Sequence, residues 1–333
     1  VADDLGYPSW AQRPAENPIR AAFVERMRDR YGCSLDPACV REFTNINHAV
    51  QAVLRVATRP GDAVALHTPA YPPFLHTLQN MDRRLLAVPY LADGDSWSFD
   101  PEGLAAGVRR TGCRVLLLVN PHNPTGRALR AEELQSLADC ALRQDMLVIS
   151  DEIHADLVHD PHRHIPLVSL GPEVAARTVT LTSASKAYNI PGVRCAVAHI
   201  GPPEVREALE SPSHLHGEPS NLGVAATVAA WRDDDAWLVR LRKVIARNAR
   251  QVRAELPPGV RYLAPDATFL GWLDCRELDL GTDPYTFFLE KARVMLNDGR
   301  TFGPGGEGFV RLNFGTSPGL LAEILRRMRE AVG

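Results

Sequence analysis

The feature that most constrains this chain is a series of short apolar segments that alternate with amphipathic ones from about Asp62 onward. The apolar segments, rich in Val, Leu and Ile, are AVALHT (63–68), LLAVPY (85–90), VLLLVN (115–120), MLVIS (146–150), TVTLTS (178–183) and CAVAHI (195–200). Between two of them, RAEELQSLADCALRQD (130–145) has apolar residues at helical spacing. Buried strands separated by helices predict an α/β fold, with a large lobe in which helices cover both faces of a mainly parallel sheet.

The pattern changes after about Ser220 and predicts a second lobe. Residues 221–256 have the pattern of two consecutive helices. Two strand candidates, ATFLGWLD (267–274) and GFVRLNFG (308–315), and a closing helix at 318–332 follow. We therefore predict a large domain at 14–241 and a smaller C-terminal α+β domain at 242–333.

Charge and hydropathy argue against several classes of partner. The formal net charge of −3 gives no electrostatic reason to expect nucleic acid or an anionic membrane. No apolar run approaches the ~18 residues of a membrane span, and the first residues do not have the pattern of a signal peptide.

The cysteines and histidines do not predict a metal site. The six cysteines are scattered without a C-x-x-C pair, which favours free thiols in a reducing cytoplasm over disulfides or zinc. The stretch HDPHRH (159–164) lacks metal-ligand spacing, and we predict a solvated turn there.

Polar side chains follow three of the strand candidates at the point where each strand ends. They belong to the segments Asn120–Gly126 (NPHNPTG), 150–152 (SDE) and 183–186 (SASK). In an open parallel sheet, ligands bind at the carboxyl ends of the strands, so an amide, a carboxylate, two hydroxyls and an amine should converge.

Lys186 is conspicuous in this set because the chain has only three lysines among 37 basic residues. Unlike arginine, a lysine can lose its proton and attack a carbonyl carbon. The set therefore suits an aromatic cofactor with an aldehyde, a ring nitrogen and a phosphate. Lys186 would form a Schiff base with the aldehyde, Asp151 would pair with the ring nitrogen, and Ser183 and Ser185 would help to bind the phosphate.

These segments resemble the fold-type I pyridoxal-phosphate enzymes of the aspartate aminotransferase superfamily. NPHNPTGR, SDEIHADL, SKAYNIPG and GFVRLNFG are most similar to the MalY/PatB group of cystathionine β-lyases, which are C–S lyases. The resemblance runs from about Gly6 to the C-terminus. It implies a fold-type I transferase-like structure, pyridoxal 5′-phosphate as cofactor, and residues 1–13 as the remnant of an N-terminal segment.

The resemblance also implies roles around the cofactor ring. Lys186 is expected to be the Schiff-base lysine and Asp151 the partner of the ring nitrogen. Asn123 would hydrogen-bond the ring hydroxyl, with His154 nearby, and Tyr71 would lie over the ring face.

Further expected roles concern the phosphate and the substrate. Arg194 matches a phosphate-binding arginine, and Ile46 and Asn47 lie where a helix N-terminus would seat the phosphate. Arg311 matches the arginine that binds the α-carboxylate of the substrate. Tyr7 matches a tyrosine that reaches the phosphate of the partner subunit, which implies a homodimer.

Three functions remain open from the sequence. The first is a carbon–sulfur β-lyase that acts on cystathionine or related S-substituted cysteines and yields a thiol, pyruvate and ammonia. The second is an aminotransferase that uses the same lysine, and the third is a non-catalytic protein on the same scaffold.

Overall fold

The computed structural model describes residues 16–210, 217–232 and 236–333. Within these ranges the helices are α1 (Pro18–Tyr31), α2 (Ile46–Ala57), α3 (Pro72–Asn80), α4 (Pro101–Thr111), α5 (Ala131–Arg143), α6 (Pro172–Ala175), α7 (Pro203–Glu210), α8 (Asn221–Arg232), α9 (Ala236–Glu255), α10 (Pro284–Phe287) and α11 (Pro318–Val332). The strands are β1 (Val40–Phe43), β2 (Ala63–Thr68), β3 (Arg84–Pro89), β4 (Leu91–Asp93), β5 (Ser96–Ser98), β6 (Val115–Val119), β7 (Leu147–Asp151), β8 (Thr178–Thr182), β9 (Ala196–Ile200), β10 (Arg261–Tyr262), β11 (Leu270–Asp274), β12 (Asn297–Asp298) and β13 (Phe309–Asn313).

A seven-stranded sheet forms the centre of the described part of the chain, in the order β1-β9-β8-β7-β6-β2-β3. Strands β8, β7, β6, β2 and β3 pair in parallel, whereas β9 is antiparallel to both of its neighbours. The connection from β8 to β9 contains turns and no crossover helix, so the chain returns in the opposite direction. The predicted mainly parallel sheet is confirmed.

Helices cover both faces of this sheet, as β6 illustrates. Leu117 and Val119 point into one apolar cluster, which α2, α3 and α7 also supply. Leu116 and Leu118 point into the cluster on the other face, which includes residues of α4 and α5. A strand that is buried on both faces has no polar positions, and this explains the continuous apolar run in the sequence.

The C-terminal part contains an antiparallel sheet in the order β10-β11-β13-β12. Its apolar side packs with residues of α9 and α11 around Phe288 and Phe314. The predicted domain boundary at 241 falls inside α9, and the division at that position stays a prediction. Among the described helices, none combines the length and apolar character needed to cross a membrane.

Candidate active site

A cavity of about 370 Å³ opens at the carboxyl ends of β6, β7 and β8. The sequence-predicted residues that line it are Ile46, Asn47, Tyr71, Asn123, Asp151, His154, Ser183, Ser185, Lys186, Arg194 and Arg311. Tyr7, the remaining predicted site residue, lies outside the described residues. The parallel register explains the convergence, because the ends of three adjacent strands lie in one row.

Asp151 is the last residue of β7 and is only 4% exposed. Its Oδ1 accepts a hydrogen bond from the backbone N–H of Ile153 at 3.1 Å. Burial raises the pKa of Asp151 to about 7, and the neighbouring Glu152 also raises it, while the Ile153 N–H and Lys186 act in the opposite direction. A carboxyl in this environment would ionise more readily beside a cationic partner.

Lys186 lies in the loop after β8, where Ser185 and Ala184 accept backbone hydrogen bonds from residues four or five positions later. Burial lowers the pKa of the Lys186 amine, and Arg311 lowers it further, while Asp151 opposes both. A lower pKa increases the neutral fraction of the amine, which is the form that attacks an aldehyde.

Arg311 lies on β13 and brings the C-terminal sheet to the cavity. Its Nη1 donates to Oδ1 of Asn123 at 2.7 Å, and its Nη2 donates to Oδ1 of Asn297 at 2.8 Å. The ring of Phe302 lies 5.0 Å from the guanidinium carbon. Burial lowers the pKa of Arg311 to about 10. The side chain is thus held in place while its charge faces the cavity.

Helix α2 presents its N-terminus to the same cavity. Asn45 caps the helix and accepts a hydrogen bond from the backbone N–H of His48 at 2.9 Å. Ile46 and Asn47 are the first two helical residues, and their N–H groups precede the hydrogen-bonded turns of the helix. The side-chain oxygen of Asn47 accepts a hydrogen bond from Thr77 Oγ1 at 3.0 Å. The group that this position offers to an anion is therefore its backbone N–H.

Two hydroxyls and an arginine lie beside this helix end. Ser183 Oγ lies 3.0 Å from Ser185 Oγ and donates to the carbonyl of Cys195 at 2.6 Å. Arg194 is exposed and has a left-handed backbone, with φ 47°. Because the Ser183 hydroxyl donates to Cys195, the donor set suited to a phosphate consists of the Ser185 hydroxyl, the helix N–H groups and the Arg194 guanidinium.

Tyr71 and His154 complete the walls of the cavity. Tyr71 stands just before α3 and contacts Phe74 edge to face, with ring centroids 5.4 Å apart. Burial lowers the pKa of His154 to about 3, so its ring is neutral near pH 7. Among the described residues, its Nδ1 has no hydrogen-bond partner, which leaves a buried polar atom at the cavity.

The residues present fit the cofactor that the sequence predicts. A buried carboxyl with a raised pKa suits a protonated ring nitrogen, and an amine with a lowered pKa suits an aldehyde. Oδ1 of Asn123 is bound by Arg311, and its amide nitrogen, which has no hydrogen-bond partner among the residues that the structure describes, suits a ring oxygen. The donors near Ser183 suit a phosphate.

Sequence reasoning missed other residues of this site. Thr44, Asn45, Phe269, Leu270 and Asn313 also line the cavity. The helix-capping position of Asn45 was the available signal, since Asn is a preferred N-cap. Asn297, which binds Arg311, belongs to a two-residue strand that has no sequence pattern.

The HDPHRH segment forms the predicted solvated turn in its middle, where residues 160–163 are exposed and the backbone N–H of His162 donates to the carbonyl of His159 at 2.9 Å, and it departs from the prediction at its two ends. His159 and His164 are buried, and His164 Nε2 lies 2.9 Å from Glu152 Oε2, whereas His162 lies near Asp266. These histidines face different partners. No group of three His, Cys, Asp or Glu side chains within the described ranges has the arrangement of a metal site.

Comparisons with known proteins place this site in context. The family model for class I and II aminotransferases matches residues 15–328. The chain is 34% identical over 313 residues to cystathionine β-lyase PatB of Bacillus subtilis, covering 92% of this chain and 81% of that protein. It is 31% identical to cystathionine β-lyase of Corynebacterium glutamicum, covering 97% of this chain and 85% of that protein. The crystal structure of cystalysin from Treponema denticola, which contains pyridoxal 5′-phosphate, has a TM-score of 0.90 at 30% identity and covers 94% of this chain and 81% of that one.

Proposed function

The chain belongs to the class I and II aminotransferase family, and from this premise we propose that it is a pyridoxal-phosphate-dependent carbon–sulfur β-lyase. The substrate would be cystathionine or another cysteine that carries a substituent on sulfur. With one water molecule, the substrate is converted to a thiol, pyruvate and ammonium. The names of the relatives support the choice of reaction, since they include cystathionine β-lyases and a pyridoxal-phosphate protein.

One observation carries the proposal: Lys186, Asp151 and Arg311 line one cavity, and each has a perturbed pKa. Perturbed groups that converge in a cleft mark functional sites. An amine, a carboxyl and a guanidinium are also the groups that an amino-acid reaction with this cofactor needs.

The cofactor would be held by residues from several elements. Lys186 would bind its aldehyde carbon, Asp151 its ring nitrogen, and Asn123 its ring oxygen. Ser185, Arg194 and the N-terminus of α2 would bind the phosphate, and Ser183 would orient Ser185. Tyr71 and His154 would lie beside the ring. When bound, pyridoxal phosphate supplies an electron-accepting ring that stabilises negative charge at the substrate Cα.

The chain's own groups would then bind the substrate and move protons. Arg311 would bind the α-carboxylate with the N–H groups that its asparagine partners leave free. Lys186 Nζ, once the substrate amine has replaced it at the aldehyde carbon, would remove the Cα proton, a role that its lowered pKa favours because more of the amine is neutral. Loss of the Cβ–sulfur bond then releases the thiolate, which takes up a proton.

The proposal includes a homodimer in the cytoplasm. All six cysteines are free thiols, which suits a reducing compartment. Tyr7 is the residue proposed to reach the partner's phosphate.

An aminotransferase is the second candidate, because the family model bears that name. It would use the same lysine and carboxylate and differ in where the proton is returned. The two reactions separate by their products, since only the lyase releases a thiol and forms pyruvate without an added keto acid.

The test is to incubate the holoprotein with cystathionine and with S-methylcysteine, and to measure pyruvate, ammonium and thiol. A Lys186→Ala variant is the control for non-enzymatic release. Equal amounts of the three products support the lyase. Amino transfer to an added keto acid without thiol release would overturn it in favour of the aminotransferase.

A further inference from the structure

Asn297 and Arg311 face each other across two hydrogen-bonded strands. Asn297 begins β12, which pairs antiparallel with β13, and its Cα is the register partner of Arg311. Directly opposite residues of antiparallel strands project to the same face, with their Cβ atoms ~5 Å apart. Nε and Nη2 of Arg311 both donate to Oδ1 of Asn297, at 3.2 and 2.8 Å.

The two asparagine partners of Arg311 use only part of its N–H groups. A guanidinium has one N–H group on Nε and two on each of Nη1 and Nη2. Asn297 accepts one from Nε and one from Nη2, and Asn123 accepts one from Nη1 at 2.7 Å. The remaining two N–H groups belong to Nη1 and Nη2, one on each nitrogen. Two such donors suit the two oxygens of a carboxylate.

The partners of Arg311 are neutral, and this preserves its charge for a ligand. Within the described ranges its side chain contacts two amide oxygens and the ring of Phe302, and it forms no ion pair with Asp or Glu. An amide oxygen fixes the guanidinium without cancelling its charge, whereas a carboxylate at position 297 would compete with an incoming anion.

We propose that Asn297 is a positioning residue, which holds the side edge of the Arg311 guanidinium so that the free N–H groups of Nη1 and Nη2 meet the substrate α-carboxylate. The inference rests on the proposed function, in which Arg311 binds that carboxylate. Asn297 is exposed, so its replacement leaves no cavity in a packed core.

The test compares two ligands of the holoprotein, each carrying half of the substrate's polar groups. One is 3-(methylthio)propionate, an acid without an amine, and the other is 2-(methylthio)ethylamine, an amine without a carboxylate. Titration calorimetry reports the Kd of the acid, and the visible absorbance of the cofactor reports binding of the amine. Asn297→Ala should raise the Kd of the acid about tenfold and leave that of the amine within about twofold.

Two further variants test the effect of charge at position 297 and the specificity of the contact. Asn297→Asp keeps the size and an acceptor oxygen but adds a charge, so it should weaken acid binding at least as much as the alanine variant. Asp298→Asn is the matched control on the same strand, because Asp298 accepts hydrogen bonds from Arg300 and not from Arg311. It should leave both Kd values unchanged.

An unchanged acid Kd in Asn297→Ala, or equal weakening of both ligands, would overturn the inference. These results are independent of turnover. If the wild-type holoprotein forms no thiol but its acid binding still depends on Asn297, the proposed lyase function fails and the positioning role stands.

Discussion

Replacing Asp151 by Asn tests the electrostatics of the site in the apoprotein. Asp151 is 4% exposed, and burial raises its pKa from 3.8 to about 7. At 1.36 kcal/mol for each pH unit, this difference corresponds to about 4 kcal/mol by which the folded surroundings of Asp151 disfavour its ionised form.

The sign of the pH dependence follows from proton binding. Between about pH 4 and pH 7 the folded apoprotein holds a proton on Asp151 that the unfolded chain has released. The contribution of Asp151 to the free energy of unfolding is therefore largest below about pH 4 and is lost as the pH rises through about 7. An amide side chain at this position cannot ionise. The free energy of unfolding of Asp151→Asn should therefore rise by up to about 4 kcal/mol relative to that of wild type as the pH increases from about 4 to about 7.

The assay is urea unfolding of cofactor-free wild type and Asp151→Asn at several pH values from about 4 to about 8. The difference between the two proteins isolates Asp151, because the other titrating groups are common to both. Asp95→Asn is the matched control, because it makes the same substitution at an exposed side chain. Parallel stability curves for wild type and Asp151→Asn would refute the reasoning.

Three other changes have defined outcomes. Arg311→Lys should raise the KM for an S-substituted cysteine about a hundredfold in steady-state kinetics, because a lysine cannot reproduce two parallel hydrogen bonds to a carboxylate; a KM within a factor of about three would contradict the assigned role. Ser183→Ala should lower the free energy of unfolding of the apoprotein by about 1–2 kcal/mol in urea titrations, because it removes a buried hydroxyl that donates to Cys195 at 2.6 Å; unchanged stability would show that this bond contributes nothing. Gly126→Ala should lower the free energy of unfolding by about 3 kcal/mol, because φ is +72° and a Cβ there would lie 2.2 Å from Cβ of Pro265. A melting temperature equal to that of wild type would contradict this close approach.

The main strands could be predicted because their burial on both faces leaves a continuous apolar run. AVALHT (63–68) forms β2 over the same residues, and VLLLVN, MLVIS and TVTLTS form the adjacent strands β6, β7 and β8. The residues that follow these strands could be placed at one edge for the same reason. Parallel neighbours bring their carboxyl ends together, and this located Asn123, Asp151 and Lys186 around one cavity.

Other features depend on contacts that are distant in sequence. The edge strand β1 is short and half-buried, and its pairing with β9 has no local signal. Asn297 acquires its place only when β12 pairs with β13, which brings it opposite Arg311 from 14 residues away. Segments with strong periodicity can thus be predicted from the sequence. The contact between Arg311 and a residue of a two-residue strand cannot, because it exists only once the sheet has formed.

Borohydride reduction of the holoprotein, followed by peptide mass spectrometry, tests most directly whether Lys186 carries the cofactor. The chain has only three lysines, so the assignment is unambiguous. The account predicts a reduced pyridoxyl-phosphate adduct on the peptide that contains Lys186, and its loss in Lys186→Ala. Modification of Lys243 or Lys291 instead, or an adduct that survives the substitution, would contradict it.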